Sequence, residues 1–113
     1  MATVKADGSA KLELDGMRRK RAYTRRVFSR SVREIEESKD FDKMTVEFQY
    51  LVEKLNELKG FDSQIKDLTI NSCTDEQFEE EFDECESYLR KFYLVKAKVE
   101  KFGMQNDKAN ASG

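Results

Sequence analysis

Apolar residues recur along this chain at intervals of three and four, the repeat of one face of a helix. The pattern is cleanest over Phe41, Met44, Phe48, Leu51, Leu55 and Leu58, which alternate the two intervals as a heptad seam does. Phe61, Ile65 and Leu68 continue it with a phase shift after Gly60, and Val46, Tyr50 and Val52 widen the stripe. This predicts a helix over 41–68. A third helix is predicted over 75–102, with Phe78, Phe82, Cys85, Leu89 and Phe92 as its seam. Tyr88, Val95, Val99 and Phe102 broaden that seam. The first segment, 11–38, is less regular. Phe28, Val32 and Ile35 share a face at i, i+4, i+7, and Gly16 weakens the early part by about 1 kcal/mol relative to Ala.

The punctuation between segments agrees with the periodicity. Ser38-Lys39-Asp40 supplies a break and a capping residue before Phe41. Thr74-Asp75-Glu76-Gln77 has the residues of a capping box, with Cys73 and Phe78 at the staple positions. Gly103 reads as the stop of the third helix. Residues 1–10 and 104–113 are small and polar and are expected to be disordered, the latter as a tail or the start of a linker. The prediction is a single all-α domain over 11–103. It comprises three long helices, with segments two and three folded back as an antiparallel, coiled-coil-like hairpin. The first segment either packs on that hairpin or pairs with another chain.

Composition supports a seam rather than a thick core. Of 113 residues 38% are hydrophobic and 39% charged, and Pro is absent. Two cysteines make no disulfide framework, and both read as packing or turn residues. Without a signal-peptide core, an 18-residue apolar run or a myristoylation Gly, the expected location is soluble and cytoplasmic.

Charge changes the picture most. Between Lys11 and Arg33 nine basic residues face only Glu13 and Asp15, a net of +7, while Asp75 to Glu86 holds eight acids and no base. Arg18, Arg19, Lys20, Arg21, Arg25, Arg26, Arg30 and Arg33 are the candidates for holding phosphate, of RNA or of an anionic membrane surface. Arg18, Arg21, Arg25 and Arg26 are expected to crowd one side of the helix, with Tyr23 between them. The other use of these charges is pairing with the acidic block, within or between chains.

Catalysis finds no support. The chain has no His and no Gly-rich phosphate loop, so no catalytic residue, metal site, cofactor or small-molecule substrate is assigned. The candidate association seam is Phe41, Met44, Phe48, Leu51, Leu55, Leu58, Phe78, Phe82, Leu89 and Phe92.

The order of features also resembles a known family. A basic Lys20-Arg21-Ala22-Tyr23-Thr24-Arg25-Arg26 element precedes a Leu-rich stretch, Leu51 to Ile65, and an acidic, aromatic helix, Glu79 to Phe102. This resembles the N-terminal helical region of the Gag-Pol polyproteins of BEL/Pao-type LTR retrotransposons. The resemblance covers about residues 17–102 and carries over no catalytic residue. It implies a Gag-like structural role: self-association in particle assembly, with nucleic-acid or membrane contact. The expected function is therefore a non-enzymatic self-association module. The alternatives are a nucleic-acid-binding module using residues 18–33 and a coiled-coil adaptor. The expected partner is the chain itself or another protein.

Overall fold

Among the described residues three helices follow in sequence order: α1 (Ala2–Glu37), α2 (Phe41–Thr69) and α3 (Asp75–Ser112). The computed structural model describes the backbone of residues 2–112 and the side chains of residues 11–105. The disorder expected of 1–10 and 104–113 falls outside that fully described span except at Met104 and Gln105. The helices form an elongated antiparallel bundle of 74 × 23 × 17 Å.

The caps follow the sequence signals. Asp40 is extended, and its carboxylate accepts from the Asp42 and Lys43 amides at the start of α2. At α3 the capping box closes reciprocally. The Gln77 amide donates to Thr74 Oγ1 at 3.1 Å, and the Thr74 amide donates to Gln77 Oε1 at 3.0 Å.

Each helix contributes a strict heptad seam to the interior, and each seam contains polar residues that apolar periodicity passes over. On α1 the inward positions are Arg21, Thr24, Phe28, Ser31 and Ile35, all buried. Val32, expected on this face, is only half-buried. On α2 the seam runs Phe41, Met44, Phe48, Leu51, Leu55, Leu58, Asp62, Ile65 and Thr69. It has no phase shift after Gly60; Asp62 occupies the seam position, and Phe61 and Leu68 flank it half-exposed. Val46 and Tyr50 point outward. On α3 the seam is Phe78, Glu81, Cys85, Tyr88, Phe92, Val95, Val99 and Phe102, with Phe82 and Leu89 at its edge.

The continuous core contains Phe28, Ile35, Met44, Leu51, Leu55, Leu58, Phe92, Val95 and Val99. Each large side chain buried there contributes about 1.5–3 kcal/mol. Phe48 stacks on Phe92 at 5.4 Å, and Phe28 meets Tyr88 edge-on at 5.6 Å. α1 is thus an integral part of the core, and the hairpin with the closest backbones is α1–α2 rather than α2–α3. Small seam residues permit that approach: Ser31 lies at the contact, its hydroxyl donating to Glu47 Oε1 of α2 at 2.7 Å.

The helix ends differ from expectation. α1 runs unbroken through Gly16, which weakens its early part without interrupting it. α3 runs through Gly103 instead of stopping, and Met104 and Gln105 are still helical. Among the described residues none has positive φ, so Gly103 is not a C-cap. Its role is steric: a Cβ there would lie 2.8 Å from Phe41 Cζ, and the Phe41 ring stacks beside it on Phe102.

Candidate nucleic-acid interface

The eight basic residues assigned to phosphate do not form one surface. The helical repeat divides them between the seam and the solvent. Arg21 is a seam residue with 8% of its side chain exposed. Its Nη1 donates to Asp62 Oδ1 of α2 at 3.1 Å and also to Glu81 Oε1 of α3. Arg25, one turn on, donates to Glu84 Oε1 at 2.9 Å and lies 3.8 Å from Asp62 Oδ1. Its guanidinium stacks 4.9 Å from the centre of the Tyr88 ring, and its Nε is buried without a partner. Both arginines are therefore committed to the bundle and are withdrawn from the phosphate-binding set.

The three helices meet here in one charged layer, Arg21–Asp62–Glu81, with Arg25 and Cys85 against it. Burial opposes the charge on Arg21, but the hydrogen bond and charge of Glu81, then those of Asp62, outweigh it and hold its pKa above the ordinary value. Burial likewise works against the Glu81 carboxylate, and Arg21 outweighs it, holding that carboxyl below its ordinary range. Cys85 goes the other way. Burial, followed by the charge of Asp62, pushes its thiol up to about 12. The ligand atoms of Asp62, Glu81 and Cys85 all lie within 4.8 Å of one another, a spacing a metal ion could bridge. The Arg21 guanidinium already supplies the cation between the two carboxylates, and Cys85 is held as a neutral thiol, so the cluster reads as an ion-pair layer.

Neither Asp62 nor Glu81 was distinguishable as functional from apolar periodicity. The signal that finds them is register. Holding the 3-4 repeat through Leu55, Leu58, Ile65 and Thr69 puts Asp62 in the seam, and the same rule puts Glu81 between Phe78 and Cys85.

Arg18, Arg19, Lys20, Arg26, Arg30 and Arg33 are exposed. Arg19, Tyr23, Arg26, Arg30 and Arg33 follow one another at intervals of four, three, four and three, which makes a second heptad stripe on the solvent side of α1. At 1.5 Å per residue it is about 21 Å long. Tyr23, in its middle, is 68% exposed. Among the described residues, no carboxylate lies within 4.0 Å of any of these four arginines. On one side the stripe borders a groove of about 660 Å³ between α1 and α3, into which Arg18 also faces. On the other it borders a cleft of about 670 Å³ between α1 and α2.

The acids of α3 are sorted in the same way. Glu81 turns inward, Glu84 meets Arg25, Glu76, Glu79 and Asp83 are exposed on the outer side at intervals of three and four, and Glu86 is half-buried beside the α2–α3 groove. The association seam is largely spent inside this chain. Met44, Leu51, Leu55, Leu58 and Phe92 are buried, and Phe41, Phe48 and Leu89 are half-buried. Phe78 and Phe82 remain 37% and 45% exposed. Among the described residues, no helix is long and apolar enough to cross a membrane.

No family model, curated protein or solved structure matches this chain.

Proposed function

We propose that this chain is a non-enzymatic binding module that holds the phosphate backbone of a nucleic acid on the outer stripe of α1. One observation carries the reading. Arg19, Arg26, Arg30 and Arg33 are aligned on a helix whose inner face is locked into the core, and none has a carboxylate partner among the described residues. An aligned, uncompensated row of guanidinium groups attracts phosphates by charge and counterion release without reading sequence. Contact with nucleic acid is also what the resemblance to a retroelement Gag-like region implies.

The test is fluorescence anisotropy with a labelled 20-nucleotide RNA at several salt concentrations. Four phosphate contacts give a slope of about −3 in log K against log[salt] for a single strand, so affinity falls about 60-fold between 50 and 200 mM. The double substitution Arg26→Glu/Arg30→Glu is expected to abolish binding and leave the helical content unchanged, because neither side chain is buried. Absence of binding at 50 mM salt, or wild-type binding by the double variant, refutes the reading.

A second reading, self-association, is favoured by the outer acids of α3. Glu76, Glu79 and Asp83 are spaced three and four, the reverse of the four and three of Arg26, Arg30 and Arg33, so an antiparallel second copy can pair with those three arginines. Light scattering at low and high salt separates the two readings. A salt-sensitive dimer or larger species supports assembly through these surfaces, and a monomer at both salts leaves the stripe to nucleic acid.

A further inference from the structure

We propose that the nucleic acid held by α1 is single-stranded, and that one of its bases stacks on Tyr23 over the cleft between α1 and α2. This rests on the phosphate-binding reading above and specifies its ligand. Tyr23 stands between Arg19 and Arg26 in the stripe, so a strand whose phosphates follow those arginines passes directly over its ring. The ring is exposed and borders the cleft of about 670 Å³, whose walls include Thr24 and Phe61 and whose rim carries Lys20 and Lys54. Lys54 is held in place by Glu57 at 3.1 Å, which also lines the cleft.

Gly60 supplies a second, independent observation. It lies inside α2, where a glycine costs about 1 kcal/mol relative to Ala. Its φ is not positive, and a Cβ built on it meets no atom within 4 Å. Neither backbone conformation nor packing therefore requires glycine at this position. What its missing side chain leaves is open space in the wall of the cleft, beside Phe61 and within reach of a ring lying on Tyr23. An aromatic face, an open apolar cleft and a cationic rim together suit a flat heterocycle tethered to phosphates. A duplex keeps its bases stacked on each other and presents no free ring to Tyr23, so the preference is for single strands.

The experiment compares the full chain binding a 20-nucleotide unstructured RNA and a blunt RNA duplex of equal length, by anisotropy at 50 mM salt. The single strand is expected to bind more tightly. Tyr23→Ala is expected to weaken single-strand binding by about 5- to 150-fold, the range for losing one stacked base. Its salt slope and its duplex binding stay unchanged, and Tyr23→Phe restores most of the loss. Gly60→Leu, which fills the cleft without touching charge or aromatic residues, is expected to weaken the single strand selectively. Equal binding of both RNAs, or an unchanged single-strand Kd in both Tyr23→Ala and Gly60→Leu, overturns the stacking proposal and leaves the phosphate reading standing. Failure of the wild type to bind either RNA removes the phosphate reading and this proposal together.

Discussion

Replacing Arg21 by Met isolates the energetics of the charged layer. Met fits a seam position and keeps helix propensity, so the change removes a cation and little else. It strands the Asp62 and Glu81 carboxylates, whose side chains are only 15% and 23% exposed. Removing one partner of a buried ion pair costs about 3–5 kcal/mol. Arg25, 3.8 Å from Asp62, still offers partial compensation, and Glu81 has some access to water. The cost should therefore fall at the lower end, about 3 kcal/mol. For a chain of 113 residues this lowers Tm by about 12 °C, at about 4 °C per kcal/mol. Thermal melts followed by circular dichroism at 222 nm measure it. The pH dependence supplies the sign. In the native chain Glu81 has a lowered pKa, so its contribution is present above its unfolded value of about 4.3 and is lost as pH falls through the folded value. In Arg21→Met burial acts on Glu81 without the arginine that outweighed it, so that carboxyl takes up a proton more readily than in the native chain. The variant is therefore expected to gain stability from pH 7 to pH 5, where the wild type is flat. The triple replacement Arg21→Met/Asp62→Leu/Glu81→Leu is expected to regain the loss or exceed wild type, since an apolar layer removes the desolvation cost. A single variant that melts with wild type, or a triple variant less stable than the single one, refutes this account.

Two further outcomes test other parts of the structure. The Cys85 thiol, pushed up to about 12 against an ordinary value near 9, favours folding below pH 9 and stops doing so as pH rises from 9 to 12. Urea midpoints should fall across that window less in Cys85→Ala than in wild type, and alkylation of Cys85 by iodoacetamide at pH 8 should be far slower in folded than in unfolded protein. The glycines give a paired test: Gly60→Ala, with open space around it, should gain about 1 kcal/mol from helix propensity. Gly103→Ala should forfeit that gain against the Phe41 ring, and equal melting temperatures for the two variants would contradict the close approach.

What could be read from the sequence was the part written in apolar residues. The α2 seam from Phe41 to Leu58 and both helix caps are as the spacing predicts. The errors came where polar residues hold apolar positions. Asp62 looked like a phase shift because Phe61 beside it is hydrophobic, although only Asp62 keeps the 3-4 interval. Arg21, Thr24 and Ser31 hid the α1 seam, so the helix that approaches α2 most closely looked detachable. The basic block was visible as composition, but its division into committed and free arginines depends on which side of α1 faces Asp62 and Glu81. Gly103 looked like a terminator because glycine is common there, whereas here the missing side chain makes room for an aromatic ring.

The charged layer also determines how the bundle opens. Leu58 is the last residue of the continuous core on α2 before the layer, on the side of the α1–α2 connection, while Ile65 and Thr69, though buried, lie beyond the layer and outside that cluster. The end near the α2–α3 turn is thus a small cooperative unit held mainly by ion pairs, and the larger unit is closed by the three-residue α1–α2 connection. Sub-global opening should release the last turns of α2 and the first turns of α3 while leaving the α1–α2 hairpin intact. Amides near Ile65 and Glu81 would then exchange at a lower free energy than those near Phe28 and Leu51, whose exchange requires global unfolding. Such a chain can expose its acidic end to a partner while the helix bearing the arginine stripe stays folded.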